Sequence, residues 1–308
     1  MTLSLTTQVA RLYFDRQMTK VEIAAHLGVS RFRVARLLDS ALATGVVRIE
    51  YRDGLAEDRT QATALEERFG LDLCAVATTE VGVARLAGSV IDGLIGPTDV
   101  IGIAWGSTLA AVVPEIPVRH GSSIEVVQLA GSSVRLGRGR DAGELARILA
   151  DRLGGTHRAI YAPTFVERAS LRAALLREPD VAETAARFGA LGLAIIGIGA
   201  MAADDGGPAS SLLRSGVLDD ADVARLAALG AVGDLVVHPF DAAGRFVAPD
   251  LAERAIAIGV DELRSVRRVV AVAFGAHKAD AIRGALATGI VRMLVTDAAT
   301  ARAVLAGA

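Results

Sequence analysis

Cysteine is nearly absent: Cys74 is the only one in 308 residues, so no internal disulfide can form, as suits a reducing compartment. Lysine is almost as rare. Lys20 and Lys278 are the only two, and every other basic residue is arginine. No apolar run suits a membrane, because the longest uncharged stretch, 188–203, holds four glycines and falls short of the ~20 apolar residues that span a bilayer. The opening MTLSLTTQVARLYFD lacks the basic segment, apolar run and cleavage site of a secretory signal. These absences point to a cytoplasmic protein with no membrane partner. A disordered or fibrous chain is excluded by 52% hydrophobic and 22% charged residues, and the length suits about two domains.

The net charge of −2 hides an uneven distribution. Residues 1–52 hold eight basic residues against four acidic ones, a net +4, which leaves −6 on the remainder. A small basic module on a larger acidic body is expected.

The module reads as three amphipathic helices. Val9, Leu12 and Tyr13 share a face within 4–16. Thr19 followed by Glu22 spells a capping box, and Ile23, Ala24 and Leu27 form the next apolar face. Gly28 supplies a tight turn. Ser30 then caps a third helix with Val34, Leu37, Leu38 and Ala41 at i, i+3, i+4 and i+7. Helix, glycine turn and capped helix make a helix-turn-helix, whose second helix enters the DNA major groove N-terminus first. The candidate DNA-contacting residues are Lys20, Ser30, Arg31, Phe32, Arg33 and Arg36. Arginine suits that place because its planar fork binds guanine O6 and N7 together, or a phosphate. Residues 46–51 alternate like a short strand, a small wing.

The stretch ARLYFDRQMTKVEIAAHLGVSRFRVARLLDSALATGVVRIEY (10–51) resembles the helix-turn-helix of the SorC family of bacterial sugar-responsive transcriptional regulators, grouped by some with DeoR-type regulators. Two domains are expected: a DNA-binding module over 1–52 and an effector-binding, oligomerising body over 53–308.

In the body, 57–69 reads as a connecting helix. Apolar strand candidates follow at 73–77, 100–105, 124–129, 159–161, 193–198, 235–237, 269–274 and 293–295, with helices at 83–94, 143–153, 222–229 and 279–287 among them. Unbroken apolar strands alternating with helices predict an α/β fold, a mostly parallel, doubly wound sheet. Residues 240–246 have the turn residues of a small hairpin.

Ligands of such sheets sit beyond the strand carboxyl ends. Three predicted strands run into Gly106-Ser107-Thr108, Gly131-Ser132-Ser133 and Gly275-Ala276-His277-Lys278. Glycine and hydroxyl residues at helix starts offer donors to an anion, and Lys278 adds a full charge. The strings IAWGSTL, VVQLAGSS, AIIGIGA, GAVGDLVVHPFDAAGR and VAFGAHKADAIRGALATGIVRMLVTDAATARAVL resemble, in order, the signatures of the SorC sugar-binding domain. That domain is similar in fold to glucosamine-6-phosphate deaminases and ribose-5-phosphate isomerases. The resemblance implies a phosphorylated sugar or polyol effector that tunes binding to double-stranded operator DNA. It also implies a homo-oligomer, a tetramer. By that resemblance Ser107 and Thr108 bind the phosphate, Asp234 accepts from sugar hydroxyls and Lys278 binds ligand oxygens. The loop after Gln128 departs from the family's paired glycines, reading Gly131-Ser132.

Two other readings use parts of the same body. A sugar-phosphate isomerase or deaminase would need a positioned acid or base; His238 and His277 are the histidines nearest the expected ligand edge and Asp204-Asp205 is a paired carboxylate in a Gly/Pro-rich stretch, but they do not resemble the deaminase set. Gly197-Ile198-Gly199-Ala200-Met201-Ala202 loosely fits a dinucleotide fingerprint, but the following Ala203-Asp204-Asp205-Gly206-Gly207-Pro208 cannot continue the helix it requires. Cys74 sits in an apolar strand with no His or second Cys nearby and reads as a buried structural thiol rather than a metal ligand or redox switch; no metal and no cofactor are expected. Trp105 either lines the pocket or packs in the core.

Overall fold

The structure is a computed structural model and describes residues 4–47, 56–120, 122–133, 141–201, 203–204, 207–208, 210–214 and 218–307. The chain divides into two compact units, Met1–Gly54 and Leu55–Ala308.

The first unit holds α1 (Leu5–Phe14), α2 (Lys20–Leu27) and α3 (Arg31–Ala43). Each starts at a side-chain cap: Ser4 accepts from the Thr7 N–H, Thr19 completes its box with Glu22, and Ser30 accepts from the Arg33 N–H. Gly28 ends α2 in the left-handed region, φ +64°. Val9, Ile23, Val34 and Leu38 form the buried core, with Leu12, Tyr13, Ala24, Leu27 and Leu37 packed around it. At ~1.5–3 kcal/mol for each buried side chain, a core this small leaves the caps a sizeable share of the unit's stability. The expected wing is not described beyond Val47, whose N–H donates to the Ala41 carbonyl at 2.9 Å; 48–51 lie outside the described residues.

The second unit runs α4 (Arg59–Phe69), β1 (Leu73–Ala77), α5 (Val83–Leu94), β2 (Val100–Ile103), α6 (Ser107–Val112), β3 (Glu125–Gln128), α7 (Ala142–Leu153), β4 (Thr156–Arg158), α8 (Ala169–Leu175), α9 (Pro179–Ala185) and β5 (Leu193–Ala200). It continues with the ribbon β6 (Ala203–Asp204) and β7 (Gly207–Pro208), then α10 (Ser211–Arg214), α11 (Asp220–Ala228), β8 (Ala231–Leu235), β9 (His238–Asp241), α12 (Pro249–Ala252), α13 (Val260–Ser265), β10 (Arg268–Val272), α14 (Ala279–Ala287), β11 (Met293–Asp297) and α15 (Ala298–Ala306).

Seven strands pair in parallel in the order β1-β11-β10-β5-β2-β3-β4. Successive strand residues face opposite sides of a sheet, and all five of β11 and four of five in β1 and β10 are buried. Helices therefore cover both faces, as the apolar runs predict. β5 is eight residues long: its first half pairs with β2 and β10, and Ile198–Ala200 pair antiparallel with β8, which β9 extends.

Two expected strands are placed differently. The apolar triplet 159–161 is not a strand; β4 is Thr156–Arg158, paired with Glu125, Val126 and Val127. As an edge strand it is bathed by water on one side, so its polar residues give no apolar signal. Of the triplet 235–237, only Leu235 is in a strand, the last residue of β8; Val236 and Val237 form the turn between β8 and β9. Val236 lies there at φ +62°, a costly region for a β-branched residue. Its carbonyl accepts from the Trp105 indole N–H at 3.0 Å, which ties the turn down. The expected hairpin forms as a bridge between Phe240 and Phe246, closed by Asp241 accepting from the Ala243 and Arg245 N–H groups.

Candidate functional site

The chain reverses its path through the sheet between β2 and β5: β3 and β4 extend one side, and β10, β11 and β1 the other. The strand ends at such a reversal diverge and leave a crevice. A cavity of about 40 Å³ opens there.

β2 delivers the first wall. Beyond Ile103, Trp105 is buried, and Gly106 starts α6 with no capping side chain. Ser107 and Thr108 face the cavity at that helix start, where the first N–H groups lack intrahelical acceptors. β8 delivers Asp234 opposite Gly199 of β5. Asp234 is buried, and its Oδ1 accepts from the Ser210 hydroxyl at 2.5 Å. Burial pushes its carboxyl up to about 6, against the opposing effects of the Ser210 hydrogen bond and the Lys278 charge. The loop after β10 delivers Lys278, whose Nζ donates to the Ile198 carbonyl at 3.3 Å. Asp297, at the end of β11, accepts from the Gly275 N–H at 3.2 Å and so anchors that loop. Ser211 and Arg214 of α10 complete the lining.

Two cations, one buried carboxylate and three hydroxyls thus converge. The cations and helix-start N–H groups suit an anion, while the carboxylate accepts from hydroxyl groups. No histidine lines the cavity among the described residues. His277 is exposed, and His238 lies in a separate pocket with Nε2 at 2.8 Å from the Ile258 carbonyl, its pKa lowered chiefly by burial. Asp205 and Ala202 lie outside the described residues, as do the side chains of 203–204. No group of three or more metal-ligating side chains occurs among the described residues. Burial pushes the Cys74 thiol up to about 12, the inert state of a core cysteine.

Gly106, Ser107, Thr108, Asp234 and Lys278 therefore meet in one cavity. Gly131, Ser132 and Ser133 do not line it. Their groups tie the strand end down instead: the Gly131 N–H donates to the Ile256 carbonyl, and Ser132 Oγ and the Ser133 N–H donate to the carboxylate of Asp141, the cap of α7. Ser210, Ser211 and Arg214 escape a reading by strand ends, because α10 follows the short antiparallel strand β7 rather than a strand of the parallel sheet. The one available signal was an arginine beside paired serines, SSLLR. Trp105 both packs in the core and lines the cavity.

In the helical unit, Ser30, Arg31, Phe32, Arg33 and Arg36 are all exposed, at or near the start of α3. Lys20 is half-buried, 6.0 Å from the Tyr13 ring centroid. It lines a surface groove with Tyr13, Thr19 and Arg31.

The sugar-binding domain family model matches residues 55–306. The erythritol catabolism regulatory protein EryD of Brucella abortus (strain 2308) is 31% identical over 311 residues, covering 98% of this chain and 96% of its own length. The sorbitol operon regulator of Klebsiella pneumoniae is 26% identical, covering 98% and 97%. The crystal structure of the full-length sorbitol operon regulator SorC from Klebsiella pneumoniae superposes with a TM-score of 0.76 at 26% identity, over 98% of each chain. No helix among the described residues is long and apolar enough to cross a membrane.

Proposed function

The chain belongs to the SorC family of transcriptional regulators with a sugar-binding domain, and from that membership we propose that 1–52 bind operator DNA while 53–308 bind a phosphorylated sugar or polyol. It is a sugar-responsive transcriptional regulator and not an enzyme. The observation that carries the effector class is the meeting of Lys278 and Arg214 with buried Asp234 at the strand reversal. In this reading the phosphate takes Lys278, Arg214 and the Ser107 and Thr108 donors, and Asp234 accepts from hydroxyls.

The free cavity is small beside the ~300 Å³ or more of ordinary ligand pockets. An effector larger than the cavity must extend through its open mouth or part its walls. An effector shifts the regulator only by binding one arrangement more tightly than the other. Two helix-turn-helix modules on one operator require at least a dimer, and a tetramer is the assembly proposed.

A thermal-shift screen of phosphorylated sugars and polyols tests the sensor. A ligand at a hundred times its Kd stabilises the native state by about 2.7 kcal/mol, and its binding should also change the emission of Trp105, the only tryptophan. Lys278→Ala should lose both responses and keep DNA binding. A screen in which only unphosphorylated sugars stabilise the protein would remove the phosphate from this reading.

A further inference from the structure

Phe32 is the most exposed aromatic side chain among the described residues, 85% accessible at the second position of α3. Ser30 caps the helix immediately before it, so the ring is held out rather than frayed. Arg31, Arg33 and Arg36 are exposed around it, and Phe32 and Arg36 stand four residues apart on one face. A phenyl ring in water among three guanidinium groups gains nothing within its own fold. An occupant must offer acceptors to the arginines and an apolar group to the ring.

The DNA major groove offers both, since guanine O6 and N7 and the phosphates accept while the thymine C5-methyl is the one apolar group there. Resting on the operator-binding reading, we propose that Phe32 selects the operator sequence by packing on a thymine methyl. Four helical residues span ~6 Å, close to two base-pair rises of ~3.4 Å. The thymine therefore lies within about two base pairs of any base that Arg36 reads.

The full-length chain is first used to select binding duplexes from a random pool. Each thymine of the selected duplex is then replaced singly by deoxyuridine, which removes only the methyl, and affinity is read by fluorescence anisotropy. Wild type should lose about fourfold at one thymine, the worth of one buried methyl. Phe32→Ala should bind the parent duplex correspondingly less well and be indifferent to that replacement. Circular dichroism and an unchanged effector thermal shift check that the variant is folded. A wild type indifferent to every deoxyuridine overturns the assignment, as does a methyl effect that survives in Phe32→Ala. If Phe32→Ala weakens self-association instead, the ring belongs to a protein contact and the proposal falls. A chain that enriches no sequence at all overturns the operator-binding reading, and the Phe32 assignment with it.

Discussion

Asp234 shows how one buried group makes the site sensitive to pH. Its native carboxyl titrates at about 6 because burial disfavours the anion, whereas an unfolded aspartate titrates near ~3.9. Between those values the native state holds more protons than the unfolded state, so stability falls as pH rises through the window and is level above it. Asp234→Asn cannot ionise, so from about pH 4 to about pH 6 it should gain on wild type by up to about 3 kcal/mol. Urea unfolding across that range measures the difference; a constant difference would mean the carboxyl ionises normally. Gly199 is the matching steric case. A Cβ there would collide with the Asp234 carboxyl and lie 2.8 Å from Ser210 Oγ. Gly199→Ala should therefore abolish the effector's thermal shift while operator binding survives, and a retained shift would show that Asp234 can retreat without cost. Neither effect was visible in the sequence, which offers Asp234 as a hydroxyl acceptor by resemblance and Gly199 within a loose dinucleotide pattern but sets the two nowhere near each other. Their approach is made by the antiparallel register that sets Gly199 against Asp234.

At the scale of elements, what depends on near neighbours was legible. The Thr19–Glu22 box, the Gly28 turn and the Ser30 cap all stand where the residues predict, because a cap and a turn are satisfied within four residues. Ser30→Ala removes the acceptor for the Arg33 N–H and should cost the helical unit about 1 kcal/mol. Operator affinity should fall with it, since the first turn of α3 presents the arginines; equal affinity in an anisotropy titration would show that DNA orders that turn unaided. Elements whose place depends on distant partners were less legible. β4 is polar because it is an edge, and the apolar Val236 and Val237 form a turn because β9 folds back beside β8. Gly131, Ser132 and Ser133 are likewise drawn away from the cavity: Asp141, eight or nine residues on, and Ile256, remote in sequence, take their hydrogen bonds.

For the whole molecule, the charge of −2 combines +4 over 1–52 with −6 over the remainder. The basic part is the one expected to exchange counterions with DNA phosphates, so operator affinity should weaken steeply with salt while effector affinity changes far less. Sensing by a regulator is a coupling free energy and must be reciprocal. Whatever factor the effector imposes on operator affinity, saturating operator should impose on effector affinity; unequal factors in paired titrations would mean that a further equilibrium, such as assembly, intervenes. Sedimentation at micromolar concentration should find a tetramer. A monomer that still binds its operator tightly would overturn the proposed assembly.

The sequence by itself determined the helix-turn-helix, the parallel α/β body and the residue types at the strand ends. Each follows from periodicity, capping and turn chemistry, which act over a few residues along the chain. Only the tertiary structure decided which strand ends share a cavity, that Arg214 and Ser211 join them, and that Asp234 is buried enough to titrate near 6. Those facts depend on strand order and on desolvation. Both are set by segments far apart in sequence whose meeting no local pattern encodes.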